Sequence, residues 1–100
     1  MDSIDIQHRQ EGKRGAFFIK ENDVVIAELT YGMTNPDTML ISHTGVSPRL
    51  RGRGIAMKLV EAAVSFAREK NFKIIPQCSY VRWAFEEKPE LSDVMKRLGS

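Results

Sequence analysis

The chain carries one cysteine, Cys78, in 100 residues. A lone thiol closes no internal disulfide and builds no thiol-rich metal site, and it fits a reduced, cytoplasmic setting. No apolar run approaches the roughly 20 residues that cross a bilayer. No basic segment leads into an apolar stretch at the start, so neither a membrane span nor a signal peptide is expected. Charge of one sign is scarce too: 15 Lys and Arg stand against 13 Asp and Glu, a formal balance of +2, too small to announce a nucleic-acid partner. The two histidines are not clustered, so no metal site is expected. There are no repeats, no low-complexity tract and no linker. With 42% hydrophobic residues, this length makes one small domain, 1–100, with a modest core and no room for separate cofactor and substrate domains.

Against this spare background one stretch stands out, Arg49-Leu50-Arg51-Gly52-Arg53-Gly54-Ile55-Ala56. Two glycines let the backbone come close to a ligand, three arginines bring positive charge, and a helix begins at once. Exposed amides at a helix N-terminus, with the helix dipole behind them, favour an anion. The motif is not a P-loop, because no Gly-Lys-Ser/Thr follows the turn. Nor is it a dinucleotide fingerprint, because it lacks Gly-x-Gly-x-x-Gly and follows four strands. The alternative is an ordinary glycine-rich turn with solvated arginines.

Periodicity places the elements. Ile4 to Gln10 reads as a strand, Glu11 to Gly15 as a turn, Ala16 to Lys20 as a second strand, and Val24 to Tyr31 as a third. Asn35-Pro36-Asp37 lies in a turn spanning Gly32 to Asp37. Thr38 to Val46 forms a fourth, central strand, and Ser47-Pro48 ends it. Gly52 to Lys70 is an amphipathic helix whose apolar stripe is Ile55, Leu59, Ala62, Ala63 and Phe66, widened by Ala56, Val60 and Ala67. Asn71 caps its C-terminus. Phe72 to Gln77 is a fifth strand, and one helical crossover makes it parallel to the fourth. Ser79 caps a short helix to Glu87, Pro89 interrupts, and Glu90 to Leu98 forms a last helix. The fold class is therefore α+β: a mixed sheet with antiparallel N-terminal strands, parallel fourth and fifth strands, a crossover helix and short C-terminal helices.

The strand ending at Val46, then Arg49-x-x-Gly52-x-Gly54, then a helix opening Ile55-Ala56 resembles the acetyl-CoA motif of the GNAT (Gcn5-related N-acetyltransferase) superfamily, Gln/Arg-x-x-Gly-x-Gly/Ala. The wider stretch from His43-Thr44-Gly45-Val46 to Ile75-Pro76-Gln77-Cys78-Ser79-Tyr80-Val81 resembles its compact subgroup of short stand-alone domains, of YjdJ and NATD1 type. The resemblance covers Leu40 to about Val94. It implies acetyl-CoA or coenzyme A as co-substrate, an amine acceptor on a small molecule or a protein, and no metal. Backbone amides of Arg51, Gly52, Arg53, Gly54, Ile55 and Ala56 would hold the pyrophosphate, with Arg49, Arg51 and Arg53 adding charge. Main chain near Thr44 and Val46 would pair with the pantetheine arm like an added strand. An amide near Val46 would polarise the thioester carbonyl. The usual acceptor-binding elements beyond the fifth strand are abbreviated here to Ser79–Ser100.

Many members use a glutamate on the fourth strand as base, and this chain has no acid between Thr38 and Val46. His43 is the natural substitute, since imidazole titrates near neutrality. It is otherwise a strand histidine that only hydrogen-bonds. Cys78, beyond the fifth strand, either attacks the thioester with His43 as its base, donates a proton to the leaving thiolate, or simply packs as a small apolar group. Tyr80, Arg82 and Trp83 form a floor for an acceptor, stack near the adenine, or complete the core. Two further readings remain beside N-acetyl transfer: a CoA-binding module without efficient catalysis, and a nucleic-acid binder using the turn arginines with Lys13-Arg14. Low charge argues against the latter. A monomer or a weak homodimer through a free sheet edge is expected.

Overall fold

The computed structural model describes residues 5–96. Five strands form one sheet in chain order: β1 (Gln7–Glu11), β2 (Arg14–Glu21), β3 (Val24–Asn35), β4 (Thr38–Val46) and β5 (Lys73–Pro76). The first four pair antiparallel as a meander, and β5 lies parallel to β4 from Thr38↔Lys73 to Ile41↔Pro76. The crossover is α1 (Ile55–Lys70), and α2 (Ser79–Glu87) follows β5. This is the mixed sheet expected from the sequence, with small shifts at the ends of β1, β2 and β5 and four larger differences.

The third strand runs on to Asn35 instead of stopping at Tyr31. Gly32 and Met33 pair with Leu40 and Met39 across β4, so only Pro36-Asp37 is left to turn. Helix α1 starts at Ile55 rather than Gly52, because Gly52 and Gly54 are both left-handed, at φ +82° and +73°. Cys78, not Ser79, occupies the N-cap position of α2. The expected last helix is instead a 3-10 turn over Pro89–Val94, after which Met95 bridges to Ile74 and the Lys96 amide donates to the Ile74 carbonyl at 2.8 Å. Ile4, and the end of that expected helix at residues 97–98, lie outside the described residues.

The core forms between α1 and one face of the sheet. Residues directly opposite each other across antiparallel strands share a face, so Phe17, Leu29 and Thr44 form one row and Tyr31 and Ile41 another. Leu29, Ile41, Met39 and Ile74 are completely buried there beneath Leu59, Val60, Ala63, Val64 and Ala67. Val64 thus belongs to the buried stripe of α1, while Ala62 and Phe66 sit at its margin. Asn71 closes α1 in the left-handed conformation expected of it. The opposite face of the sheet carries no helix from the described residues.

Beyond the middle of α1, the His8 ring stacks on Phe17 (centroids 4.2 Å apart) and pairs with the Tyr31 hydroxyl at 2.7 Å. Gly15 makes this cluster possible. A methyl there would lie 2.4 Å from the Tyr31 ring. Gly15→Ala must push the ring away and break its bond to His8, a loss of about 1–3 kcal/mol typical of overpacking. Urea unfolding measures it, and unchanged stability would show that the ring has room to move.

Candidate functional site

The site begins where β5 leaves β4. The Ile41 carbonyl accepts the amides of both Gln77 (3.1 Å) and Cys78 (3.0 Å), and β5 goes no further. Pro76 turns its nitrogen to the outer edge of β5, the side on which the Ile74 carbonyl accepts the Lys96 amide, where a missing donor costs the β4 pairing nothing. Beyond this point β4 runs on alone to Val46. The Ser47 amide donates to the Ile26 carbonyl at 2.8 Å, on the β3 side. Alternation along the strand then aims the main-chain groups of Val46 and Thr44 the other way, at the edge that β5 has vacated.

A cleft of about 520 Å³ occupies that gap. Its walls are the β4 edge (Thr44, Gly45, Val46), the turn and helix start (Leu50, Arg51, Gly52, Gly54, Ile55, Ala56), and Tyr80 and Trp83 of α2. A Cβ added to Gly52 or Gly54 meets no protein atom within 4 Å. The left-handed backbone, not crowding, is what demands glycine there, and the space in front stays open for a ligand. No side chain caps α1 and no acidic residue lies in its first turn, so its leading amides are left for an anion. This donor set fits a diphosphate.

Seven of the sequence-nominated cofactor residues therefore border one cleft: Thr44, Val46, Arg51, Gly52, Gly54, Ile55 and Ala56. Arg49 and Arg53 do not line it. The Arg49 guanidinium is engaged by the Glu21 carboxylate at the end of β2. Tyr80 and Trp83 do line it, 5.3 Å apart between ring centroids. Trp83 is 47% exposed, a large aromatic surface facing the cleft rather than the core.

Cys78 is half-buried behind the cleft wall, with its Sγ 3.6 Å from the Thr44 hydroxyl. Burial alone would raise its pKa. The Thr44 hydroxyl and the main chain of Val81, Tyr80 and Thr44 outweigh it and hold the thiol below its ordinary value. The Val81 and Tyr80 groups lie at the start of α2, where helix amides favour an anion. Arg82 fixes this turn from below, donating to the carbonyls of Pro76 (3.2 Å) and Gln77 (2.7 Å). Burial and the nearby Glu61 carboxylate raise the Tyr80 pKa against the opposing Lys88 ammonium, so Tyr80 stays a neutral phenol.

His43 lies elsewhere. It pairs with Thr30, whereas Thr44 pairs with Leu29 in the core row. Its ring stands over Gly45, where an added methyl would come within 3.1 Å of Nε2. His43 is therefore exposed on the helix-free face, and the sheet separates it from Cys78. A bulge at Thr30/Tyr31 shifts the alternation along β4. Among the described residues no cluster of three or more His, Cys, Asp or Glu is placed to hold a metal.

The family model described as GCN5-related N-acetyl-transferase matches residues 16–94. The chain belongs to this family. It is 34% identical over 97 residues to Protein NATD1 of Xenopus tropicalis, covering 96% of this chain and 86% of that protein. It is 35% identical to human Protein NATD1 over 72 residues, 72% of this chain and 63% of that one. The solution structure of a GCN5-like protein from Staphylococcus aureus superimposes with a TM-score of 0.74 at 35% identity, covering 98% of this chain and 93% of that chain. The aminoglycoside N-acetyltransferase AAC(6')-Iy, solved in complex with CoA, shares the fold at a TM-score of 0.59 and 13% identity, over 83% of this chain and 88% of that one. Among the described residues no helix is long and apolar enough to cross a membrane.

Cys78 should alkylate with iodoacetamide at a pH midpoint below that of an ordinary thiol. Thr44→Val removes the hydroxyl that favours the thiolate, so the midpoint should rise. A midpoint that ignores the substitution would detach Thr44 from the thiol's chemistry.

Proposed function

We propose that this GNAT-family chain is an acetyl-CoA-dependent N-acyltransferase that moves an acetyl group to a primary amine on a small molecule or a protein. The observation that carries the reading is the cleft itself: a diphosphate-sized cradle of uncapped helix amides and left-handed glycines, continuous with the free main-chain edge of β4. The amides from Arg51 to Ala56 take the diphosphate, and the Arg51 side chain adds charge. The β4 edge at Thr44 and Val46 pairs with the amides of the pantetheine arm, an addition of one strand's worth of hydrogen bonds. Arg49 and Arg53 contribute backbone and field rather than a direct grip. The neutral phenol of Tyr80 and the exposed face of Trp83 suit the far wall.

The Val46 amide points along this edge, where a thioester carbonyl would develop negative charge. The Cys78 thiolate attacks the acetyl carbon, and the carbon–sulfur bond to coenzyme A breaks. Coenzyme A leaves as a thiolate and takes a proton from solvent. The acceptor amine gives its proton to His43 on the helix-free face, passes round the edge of β4 that β5 has vacated, and attacks the acetyl-cysteine. The new carbon–nitrogen bond forms as the Sγ–carbon bond breaks, and the thiolate is restored. In this sequence Thr44 and the α2 amides, not His43, activate Cys78, because the sheet stands between them.

Isothermal titration with acetyl-CoA tests binding, and no heat at millimolar ligand would sink the reading. Gly52→Ala should cost about 1–2 kcal/mol of left-handed strain; as the free turn relaxes to relieve it, CoA must restore the turn on binding, and its affinity falls by up to roughly thirtyfold. Mass spectrometry after incubation with acetyl-CoA should find one acetyl group on Cys78. His43→Gln should leave that adduct and slow its transfer to amine. Turnover with Cys78 unmodified would replace the acetyl-cysteine with direct transfer. Tight CoA binding with no turnover over a broad amine panel would mark a binding module instead.

A further inference from the structure

The helix-free face of the sheet holds a second depression, of about 610 Å³, that the CoA reading does not use. Its lining includes Arg9, Glu11 and Arg14 at one end, Ala16, Thr30 and Gly32 along the floor, and Leu40 and Ser42 at the other end. The register explains its shape. Arg9, Ala16, Thr30 and His43 are successive partners across β1 to β4 and share one face. The next row is Glu11, Arg14, Gly32 and Leu40. Small residues on β2 and β3 leave a trough between larger ones on β1 and β4. The residue row beside it runs roughly 14 Å, three interstrand spacings of about 4.8 Å, from Arg9 to His43, which adjoins the Ser42 end without lining the depression.

Two guanidiniums face one carboxylate at the β1 end. None of Arg9, Glu11 and Arg14 has an ion-pair partner within 4.0 Å among the described residues. Arg9 is steadied over the Phe18 ring, 5.2 Å from its centroid. Positive charge held in place and unpaired attracts an anion. At the other end lies the gap where β4 and β5 part. With the CoA arm in the cleft on the α1 side, the helix-free face gives an acceptor a separate approach to the gap.

The geometry points to an acceptor that is a peptide: an extended segment lying across β1–β4, with its amine beside His43 and an acidic side chain held by Arg9 and Arg14. An extended chain covers the trough in about four residues, whereas a small amine reaches only one end. This assignment rests on the acyl-transfer reading for its amine end and on the trough alone for its anionic end.

A labelled lysine heptapeptide with glutamates four and five residues from the lysine tests it, beside versions carrying glutamine or lysine in their place. The acidic peptide should bind the full chain about tenfold tighter than the neutral one, a gap that rising salt closes. Arg9→Gln with Arg14→Gln should abolish the preference and leave the CoA affinity unchanged. Amide shift mapping on the unsubstituted chain needs no variant: shifts at Ala16, Thr30 and Ser42 support the trough, and shifts confined to other surfaces overturn it. Equal binding of acidic and neutral peptides overturns the assignment and leaves acyl transfer standing. Acidic-peptide binding at the trough with no heat from acetyl-CoA overturns acyl transfer and leaves the trough.

Discussion

The parting of β4 from β5 is the constraint on which the rest of the molecule turns. A parallel pair that continued to Val46 would satisfy the main-chain groups of Thr44 and Val46 internally and leave nothing for a ligand. The pair stops because the Ile41 carbonyl takes both of the amides that follow Pro76, which turns the chain out of the ladder. Arg82 then holds the diverging turn by the carbonyls of Pro76 and Gln77. One doubly engaged carbonyl and one clamped turn thus expose a strand edge, set Cys78 at a helix start, and form the cleft beside the glycine turn.

The same economy governs the sheet's outer edges. The free edge of β5 is covered by the last described residues, with the Lys96 amide on the Ile74 carbonyl. That segment is tied to α1 by Arg68, which reaches Asp93 at 2.7 Å and the Glu90 carbonyl at 2.8 Å. The other edge, β1, is exposed along its length and carries His8, Arg9, Gln10 and Glu11. Charged side chains on an edge strand discourage pairing with a second sheet. With α1 on one face only, the sheet presents its other face as surface, and the trough there follows from small residues on β2 and β3.

Much of the fold was legible because its signals are local. Alternation marked the strands, the three- and four-residue spacing marked α1, and Asn71 is a residue type that tolerates the left-handed conformation. The misplaced boundaries share a cause. Gly32 reads as a breaker, yet pairing with Leu40 keeps it in β3. Gly52 and Gly54 read as helix, yet their positive φ belongs to the turn. The segment after Pro89 has helical spacing but is drawn into a bridge with β5. In each case a neighbour far along the chain overrode the local preference.

The site divides along the same line. Arg49-x-x-Gly52-x-Gly54 and the apolar helix behind it determined the glycine turn and the helix that follows it from the sequence alone, because such a turn needs only its own backbone. Which side each β4 residue faces was decided by the tertiary structure. A single bulge opposite Thr30 shifts the alternation, and so places Thr44 with Cys78 while sending His43 through to the other face. Arg49, equally, is spoken for by Glu21, a partner 28 residues away. Period-two reasoning cannot register an inserted residue or a distant carboxylate; only the paired strands can.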